Sequence, residues 1–484
     1  MRLWELFLEN SLGINLILVL VIIYMNRRRP ARSTMLWVMM MALFPILGFI
    51  PYLFLGQDTR RRKMFQRKES LDLRMLEQAL VQLDAIAQNV PVEDEGRFQD
   101  YLELVRLNMR TGLTDFSGGN QVTVFTDGIK KFHRLIQDID AAQEEVNLQY
   151  YILKSDELGM EVIEALIRAA QRGVKVRVLS DGVGARNLSQ KVRRRMREEG
   201  VDLAIFFPSI LGFINLRLNY RNHRKIVAID NRIGYIGGFN VGDDYVGRYK
   251  RFGYWRDTHV RIEGPAEADL KLRFLQDWDY AKQEKRNPEQ PISVPYKYSG
   301  GGNVFCQLVS SGPDTPVANI KFAMLKMISA ANDVIYIQTP YFIPDTSIME
   351  ALMIALQQGV EVNLMIPDKP DHPVVFPATM SFAGDLIHAG ANVYCYNGGF
   401  LHSKVLLIDD YVSLVGSCNM DERSFSLNFE ASELLYSKQV SEQLRQAFRA
   451  DVEKSTLMTV ARLEERPLSI KLKEPLCRLF APLL

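Results

Sequence analysis

The chain has 484 residues, enough for two or three domains with sizeable cores, so a single small module is excluded. Its 59 basic and 57 acidic side chains leave a net charge of +2, and this balance argues weakly against an enzyme that acts on nucleic acid. The four cysteines include no C-x-x-C pair, so their spacing predicts neither a zinc site nor a disulfide framework.

Two apolar stretches near the amino terminus predict two membrane segments. They cover about residues 4–25 and 34–55, and about 20 apolar residues at ~1.5 Å rise can cross the ~30 Å apolar core of a bilayer. Basic clusters border the second stretch on both sides, although the positive-inside rule favours both clusters in the cytoplasm. Because Pro45, Gly48 and Pro51 interrupt this stretch, it is either a transmembrane helix or a re-entrant hairpin.

The remainder of the chain predicts a linker followed by two lobes. The linker is rich in charged residues and in helix formers, which fits either a stalk or a leading layer of helix. We expect a membrane anchor at residues 1–63, a helical linker at 64–118, a first lobe at 119–295, and a second lobe with a carboxyl-terminal tail at 296–484.

A strand, a helix and a second strand follow one another in the same order in both predicted lobes. Units of this kind build mixed or parallel sheets covered by helices, so the duplication predicts an α/β protein with two similar α/β/α lobes related by a pseudo-two-fold axis. The predicted units are 146–152, 159–172 and 173–178 in the first copy and 334–337, 347–358 and 359–364 in the second.

Each predicted lobe also contains a motif of the form H-x-K-x-x-x-x-D. A β-prone segment follows the lysine and the aspartate falls in a turn, so each motif should open a β-hairpin. Aspartate favours such turns, so a structural role fits the two aspartates best. The candidate catalytic residues are His223, Lys225 and Asp230 in the first motif and His402, Lys404 and Asp409 in the second.

An asparagine and a carboxylate complete each set. The asparagine follows the histidine by the same 17 positions in both lobes, and its amide can donate a hydrogen bond to a phosphate oxygen. A downstream carboxylate can fix the tautomer of a histidine by accepting a hydrogen bond from its second ring N–H. These four candidate substrate-site residues are Asn240 and Asp257 after the first motif and Asn419 and Glu430 after the second.

The two sets suit phosphodiester chemistry. With an unperturbed pKa of about 6.5, one neutral imidazole can attack phosphorus while a protonated one donates its proton to the leaving alkoxide. Two ammonium groups and two amides would stabilise the charge on the phosphate oxygens. This chemistry requires no cofactor or metal, and the sequence has no ligand cluster at metal-binding spacing. The matched spacing of the two motifs makes a catalytic role far more credible than one isolated motif would.

From about Phe125 to the carboxyl terminus, the chain resembles the phospholipase D superfamily. Within that superfamily, the two amino-terminal segments, the sequence PILGxxPYLFLG at 45–56, the pair Tyr150-Tyr151 and the duplicated motifs are similar to bacterial cardiolipin synthases. The resemblance implies reversible phosphatidyl transfer from one phosphatidylglycerol to another, which gives cardiolipin and glycerol through a phosphatidyl-histidine intermediate. It further implies that His223 is the nucleophile and His402 the acid and then the base, although the sequence itself does not distinguish them.

The same resemblance implies a bacterial cell-membrane location with a cytoplasmic catalytic domain, a bilayer as partner and no nucleic acid. Three alternatives stay open: a hydrolytic phospholipase D or another phosphatidyltransferase, a nucleic-acid phosphodiesterase, and an inactive membrane scaffold. The near-neutral composition and the predicted anchors disfavour the second alternative, and two intact motifs disfavour the third. The sequence does not specify an oligomeric state.

Overall fold

The computed structural model describes residues 2–27, 31–45, 47–52, 95–112, 115–208, 220–248, 253–283, 301–315, 317–369 and 372–481. The predicted boundary between the lobes, at 295 and 296, lies outside these residues, as does most of the predicted linker.

The amino-terminal region begins with helices α1 (Arg2–Met25), α2 (Ala31–Leu43) and the short α3 (Phe49–Pro51). The first two pack against each other, and the side chain of Asn15 on α1 donates a hydrogen bond to the carbonyl of Met41 on α2 at 3.1 Å. Trp37 on α2 contacts Tyr52 edge to face, at 5.4 Å between ring centres. These helices overlap the two predicted membrane segments. In the described residues, none of the helices has the length and apolar character that crossing a membrane requires.

Most of the described part of the predicted linker is helix α4 (Glu95–Gly112), which packs on the second lobe. The linker's last two residues, 117 and 118, already belong to the first strand of the first lobe. The buried side chains of α4 join the core of the second lobe, and Asn108 donates a hydrogen bond to Gln307 at 3.1 Å. Of the two interpretations of the linker, a leading layer of helix therefore describes α4, and a free stalk does not.

In the first lobe, the predicted strand, helix and strand are β2, α6 and β3. The helix α6 begins where the side chain of Asp156 accepts a hydrogen bond from the backbone of Gly159. The elements are β1 (Ser117–Phe125), α5 (Gly128–Ala141), β2 (Glu145–Tyr150), α6 (Glu157–Gln171), β3 (Lys175–Asp181), α7 (Gln190–Glu198), β4 (Asp202–Phe206), β5 (Ile226–Ile229), β6 (Ile233–Gly237), β7 (Trp255–Arg256), β8 (His259–Glu263) and α8 (Glu267–Lys282).

The second lobe repeats this order, and its predicted unit is β10, α10 and β12. Asp345 caps α10 in the same way, through the backbone of Ile348. The elements are β9 (Val304–Ser311), α9 (Asn319–Ala330), β10 (Val334–Gln338), β11 (Phe342–Ile343), α10 (Thr346–Gln357), β12 (Glu361–Pro367), α11 (Val375–His388), β13 (Asn392–Tyr396), β14 (Phe400–Leu401), β15 (Val405–Ile408), β16 (Val412–Gly416), β17 (Met420–Asp421), α12 (Glu422–Ser426), β18 (Glu430–Tyr436), α13 (Lys438–Val452), β19 (Ser455–Met458), α14 (Val460–Glu464) and α15 (Leu468–Arg478).

One mixed sheet of 15 strands runs through both lobes, in the order β19-β13-β12-β10-β15-β16-β18-β9-β1-β8-β6-β5-β2-β3-β4. Apart from the edge strand β19, equivalent strands occur in the same order from each edge towards the centre, where β9 and β1 pair antiparallel. The sequence prediction of a duplicated mixed α/β fold is confirmed.

Both motifs open a hairpin, as predicted: β5 pairs with β6, and β15 with β16. Asp230 and Asp409 stand in the turns with positive φ angles of 55° and 50°, a region that aspartate enters more readily than most residues. The carboxylate of Asp230 accepts hydrogen bonds from three consecutive backbone N–H groups that lead into β2. Asp409 does the same at the start of β10.

Candidate active site

Each motif histidine is placed by a short parallel contact with the other lobe. His402 donates its backbone N–H to the carbonyl of Arg256 at 2.8 Å, where β14 pairs with β7. His223 donates its backbone N–H to Phe429 at 2.9 Å, beside an isolated bridge from Asn222 to the same residue. A carboxylate residue directly follows each acceptor, so each histidine faces a carboxylate of the opposite lobe.

Each carboxylate therefore contacts the motif histidine of the opposite lobe. Nδ1 of His223 lies 2.9 and 3.1 Å from the two carboxylate oxygens of Glu430. Nδ1 of His402 lies 2.5 Å from Oδ2 of Asp257. The sequence grouped each acid with the motif of its own lobe, whereas in the structure each acid contacts the histidine of the other lobe. The predicted effect on the tautomer remains: a carboxylate accepts from Nδ1–H, which leaves Nε2 with a free lone pair.

Each carboxylate is held by its own lobe while it reaches across. The hydroxyl of Ser417 donates to Glu430, and the amide of Asn428 donates to it at 3.2 Å. Asp257 accepts from the backbone of Thr258 at 2.7 Å. Gly238, which occupies the place of Ser417 in the first lobe, leaves room for Asp257, because a Cβ there would lie 2.0 Å from its Oδ1. The two equivalent carboxylates are thus held by different groups: Glu430 by two side chains and Asp257 by a backbone N–H.

The two motif lysines are buried on the same site. Each donates a hydrogen bond to the backbone carbonyl of its own motif histidine, at 2.5 Å for Lys225. Burial lowers the pKa of Lys225 to about 7, and Lys404 acts in the same direction while Glu430 opposes it. Because the two ammonium groups repel each other, binding of an anion beside them is favourable.

The ionisation of the histidines is governed by burial. Burial lowers the pKa of His223 and is opposed by Glu430. Burial also lowers the pKa of His402 to about 3, with a further contribution from Lys404. For Glu430, burial opposes ionisation, yet His223 and Lys225 hold its pKa below the usual value. Without an anionic ligand, both imidazoles are therefore neutral at pH 7 beside ionised Glu430.

Aromatic rings lie beside both histidines, those of Tyr151 and Tyr245 edge-on and that of Trp255 tilted. The ring of Tyr151 lies 5.0 Å from His223, and the rings of Trp255 and Tyr245 lie 5.2 and 5.8 Å from His402. Tyr151 belongs to the pair Tyr150-Tyr151, one of the sequences on which the family resemblance rests. Tyr245 carries no such signal, because only the fold brings it to the second histidine.

The two predicted asparagines are buried beside these groups. The amide nitrogen of Asn240 donates to the hydroxyl of Tyr245 at 2.7 Å, and its oxygen accepts from the backbone of Ile152. Asn419 hydrogen-bonds to Asp421, which occupies strand β17. Among the described residues, no group of three or more His, Cys, Asp or Glu side chains is arranged to hold a metal ion.

A buried layer beneath the site was not predicted from the sequence. Arg224, next to the first histidine, forms an ion pair with Asp277 at 2.7 Å. Arg256 of the first lobe forms another with Asp451 of the second lobe, at 2.8 Å. All four side chains are buried. These charges support the backbone that carries the histidines and carboxylates.

Comparison with protein families gives two matches. The family described as cardiolipin synthase, phospholipase D-like domain, matches residues 135–268 and 324–452, one segment in each lobe. The family described as phospholipase D-nuclease N-terminal matches residues 13–57.

Several bacterial proteins are similar along the whole chain. The major cardiolipin synthase ClsA of Bacillus subtilis is 44% identical and covers 97% of both chains. A cardiolipin synthase of Oceanobacillus iheyensis is 42% identical over 100% of both chains. One from Staphylococcus aureus is 44% identical over 97% of this chain and 95% of its own.

Among solved structures, a phosphatidylserine synthase of Haemophilus influenzae shares the fold. Its TM-score is 0.60 at 15% identity, and the match covers 79% of this chain and 100% of that one.

Proposed function

The chain belongs to the cardiolipin synthase family of phospholipase D-like proteins, and we propose that it joins two phosphatidylglycerol molecules into cardiolipin with release of glycerol. It is a phosphatidyltransferase. The observation that carries the proposal is the pair of imidazoles, each held at Nδ1 by a carboxylate of the opposite lobe, beside two buried ammonium groups.

In the first half-reaction, Nε2 of His223 attacks the phosphorus of the donor phosphatidylglycerol. A P–N bond forms as the P–O bond to the headgroup glycerol breaks, and His402 gives a proton to the leaving oxygen. The positive charge that develops on the His223 ring is stabilised by Glu430, whose two oxygens lie within 3.1 Å of Nδ1.

In the second half-reaction, a hydroxyl of the second phosphatidylglycerol attacks the phosphatidyl-histidine. His402 accepts the hydroxyl proton, the new P–O bond forms, and the P–N bond breaks to free His223. One phosphodiester replaces another, so the reaction is reversible and requires no nucleotide. When cardiolipin leaves, His402 releases its proton to solvent, and the ring takes up a proton again as the next donor binds.

Binding of the substrate protonates His402, which allows this residue to act as the acid. In the free site, burial and Lys404 keep this ring neutral, with a pKa of about 3. A bound phosphodiester places a negative charge beside Nε2, which favours the imidazolium and raises that pKa. Because Asp257 stabilises the same charged form from the Nδ1 side, a donor lipid would charge the ring as it binds.

The lysines and asparagines would stabilise the equatorial oxygens of the transition state. Lys225 and Lys404 supply two positive charges in a buried site, where an electrostatic interaction is stronger than in water. Asn240 and Asn419 would donate amide N–H groups from the two lobes. Asp230 and Asp409 fix the hairpins on which these residues stand, through backbone hydrogen bonds.

The amino-terminal region would hold the enzyme on the bacterial cell membrane, with residues 1–63 as the anchor and a cytoplasmic catalytic part. The family match at 13–57 supports membrane attachment of this region. So do the apolar side chains that α1 and α2 leave exposed: Leu16 and Ile17 are each 62% exposed, and Leu43 is 70% exposed. Whether the second segment crosses the bilayer or re-enters it stays open in this proposal.

The test is to incubate the purified full chain in detergent with phosphatidylglycerol alone, with a chelator and without nucleotide, and to separate the lipid and water-soluble products. We expect cardiolipin and glycerol in equal amounts. His223→Asn and His402→Asn should each abolish both products. Phosphatidic acid as the main product would mean that water is the acceptor and would overturn the synthase assignment.

A further inference from the structure

The carboxyl-terminal helix α15 and its capping residue Leu479 present a row of leucines to the outside of the protein. Leu468, Leu472, Leu476 and Leu479 are 71%, 66%, 58% and 60% exposed. At about 100° per residue, the first, second and fourth of these fall within roughly 40° of one another around the helix axis, and the third adjoins them. Single exposed leucines are ordinary, but four aligned along one helix form a continuous apolar face.

In the carboxyl-terminal half of α15, the opposite face packs against the protein. Glu474 and Cys477 are each 6% exposed, and Glu474 forms an ion pair with Arg466. Arg478 forms another ion pair with Asp385 on α11, at 2.7 Å. The leucine row is therefore held outward by packing and ion pairs on the far side of the helix.

Basic side chains border the leucine row on both edges. Lys473 lies on one edge and Lys471 on the other, by the same helical rotation. The only acidic residue in α15, Glu474, points to the packed face. An apolar row bordered by cations and without outward acidic groups matches an anionic lipid surface, in which the leucines enter the acyl region and the cations meet headgroups.

We propose that α15 is an interfacial membrane-docking helix, which lies in the surface of an anionic bilayer and holds the catalytic domain against it. The choice of anionic lipid rests on the charge of the helix and on the proposed function, because both the substrate and the product of that reaction are anionic. The amino-terminal anchor would then be only one of two attachments.

The chain offers a clean way to place a probe, because all four native cysteines are buried. We would label Leu472→Cys with an environment-sensitive fluorophore and reconstitute the full chain into phosphatidylglycerol vesicles. Ile354→Cys on α10 is the matched control, since this isoleucine is also apolar and 57% exposed. We expect a several-fold rise in emission and quenching by brominated acyl chains at 472, both weaker in phosphatidylcholine, and neither at 354.

Equal signals at the two positions would overturn the proposal. So would a signal at 472 that appears in detergent without lipid and grows with protein concentration, because a second copy of the chain would then cover the helix. The readout needs no turnover, so it separates a failure of the docking helix from a failure of the proposed reaction.

A second measurement uses activity. The variant L468S/L472S/L476S should lower the ratio of vesicle to mixed-micelle activity at least about tenfold, because loss of three inserted leucines weakens bilayer binding. The control I129S/I354S, which removes two isoleucines that are 61% and 57% exposed, should keep the wild-type ratio. An unchanged ratio in the leucine variant would contradict docking through α15.

Discussion

Lys225 must be protonated to stabilise a phosphate, yet burial, assisted by the charge of Lys404, lowers its pKa to about 7. The charged form is therefore present below about pH 7 and is lost as the pH rises through that value. Since kcat/KM reports the ionisation of the free enzyme, we expect kcat/KM to fall on the alkaline side of about pH 7, well below the usual range for a lysine.

Lys225→Arg tests this ionisation, because a guanidinium stays charged at every relevant pH. The variant should have a lower rate, since its planar group fits the site poorly, but the alkaline fall of kcat/KM should move up by at least about one pH unit. Lys282→Arg is the control, as this lysine is 32% exposed and paired with Asp202. If the wild type and Lys225→Arg lose activity at the same pH, another group controls the alkaline side.

The motif aspartates illustrate what the sequence reveals about single residues. A turn residue that tolerates positive φ follows from residue type, and both aspartates occupy such turns. Their partners, three backbone N–H groups some 75 to 87 positions away, do not follow from residue type. Side-chain chemistry is thus readable from the sequence, whereas its partners are set by the fold.

At the scale of elements, the repeated strand, helix and strand units were predicted, because apolar periodicity is a local property. The pairing that builds the site was not predicted, since it depends on the two-residue strands β7 and β14 and on the bridge at Asn222 and Phe429. Contacts this short have no periodicity. Because the motifs are duplicated, the sequence grouped each carboxylate with the motif of its own lobe. In the structure, each carboxylate contacts the histidine of the opposite lobe.

This pairing across the lobes predicts that Glu430→Gln impairs catalysis through His223. Glutamine can still hydrogen-bond to the ring, but it neither stabilises the cation nor enforces the same tautomer, so kcat should fall by about 10² to 10⁴ with little change in KM. The control is Glu433→Gln on the same strand. Burial raises the pKa of Glu433, so glutamine closely resembles its neutral form.

Steady-state kinetics on detergent-solubilised phosphatidylglycerol would compare the two glutamine variants, with thermal unfolding as a check on folding. Equal kcat values for Glu430→Gln and Glu433→Gln would remove the assigned role of the cross-lobe carboxylate. A loss expressed only in KM would instead place Glu430 in substrate binding.

At the scale of the whole molecule, neither lobe contains a complete site. Each histidine needs the carboxylate of the other lobe, and the sheet continues between the lobes through β1 and β9. The ion pair of Arg256 and Asp451 ties the lobes together beneath the site, with both side chains buried. We therefore expect the lobes to unfold together, in one cooperative transition.

Calorimetry of the full chain in detergent tests this cooperativity, with Asp451→Asn as the probe. The substitution leaves the buried guanidinium of Arg256 without its counter-charge, which should destabilise the fold by about 3 kcal/mol. It should lower the temperature of a single transition by a few degrees without splitting it. Asp140→Asn is the control. It removes the ion pair with Arg168, in which both side chains are more than a third exposed, and it should shift the transition far less. Two separate transitions in the wild type would show that the shared sheet does not couple the lobes, and the site would then depend on docking of two independent units.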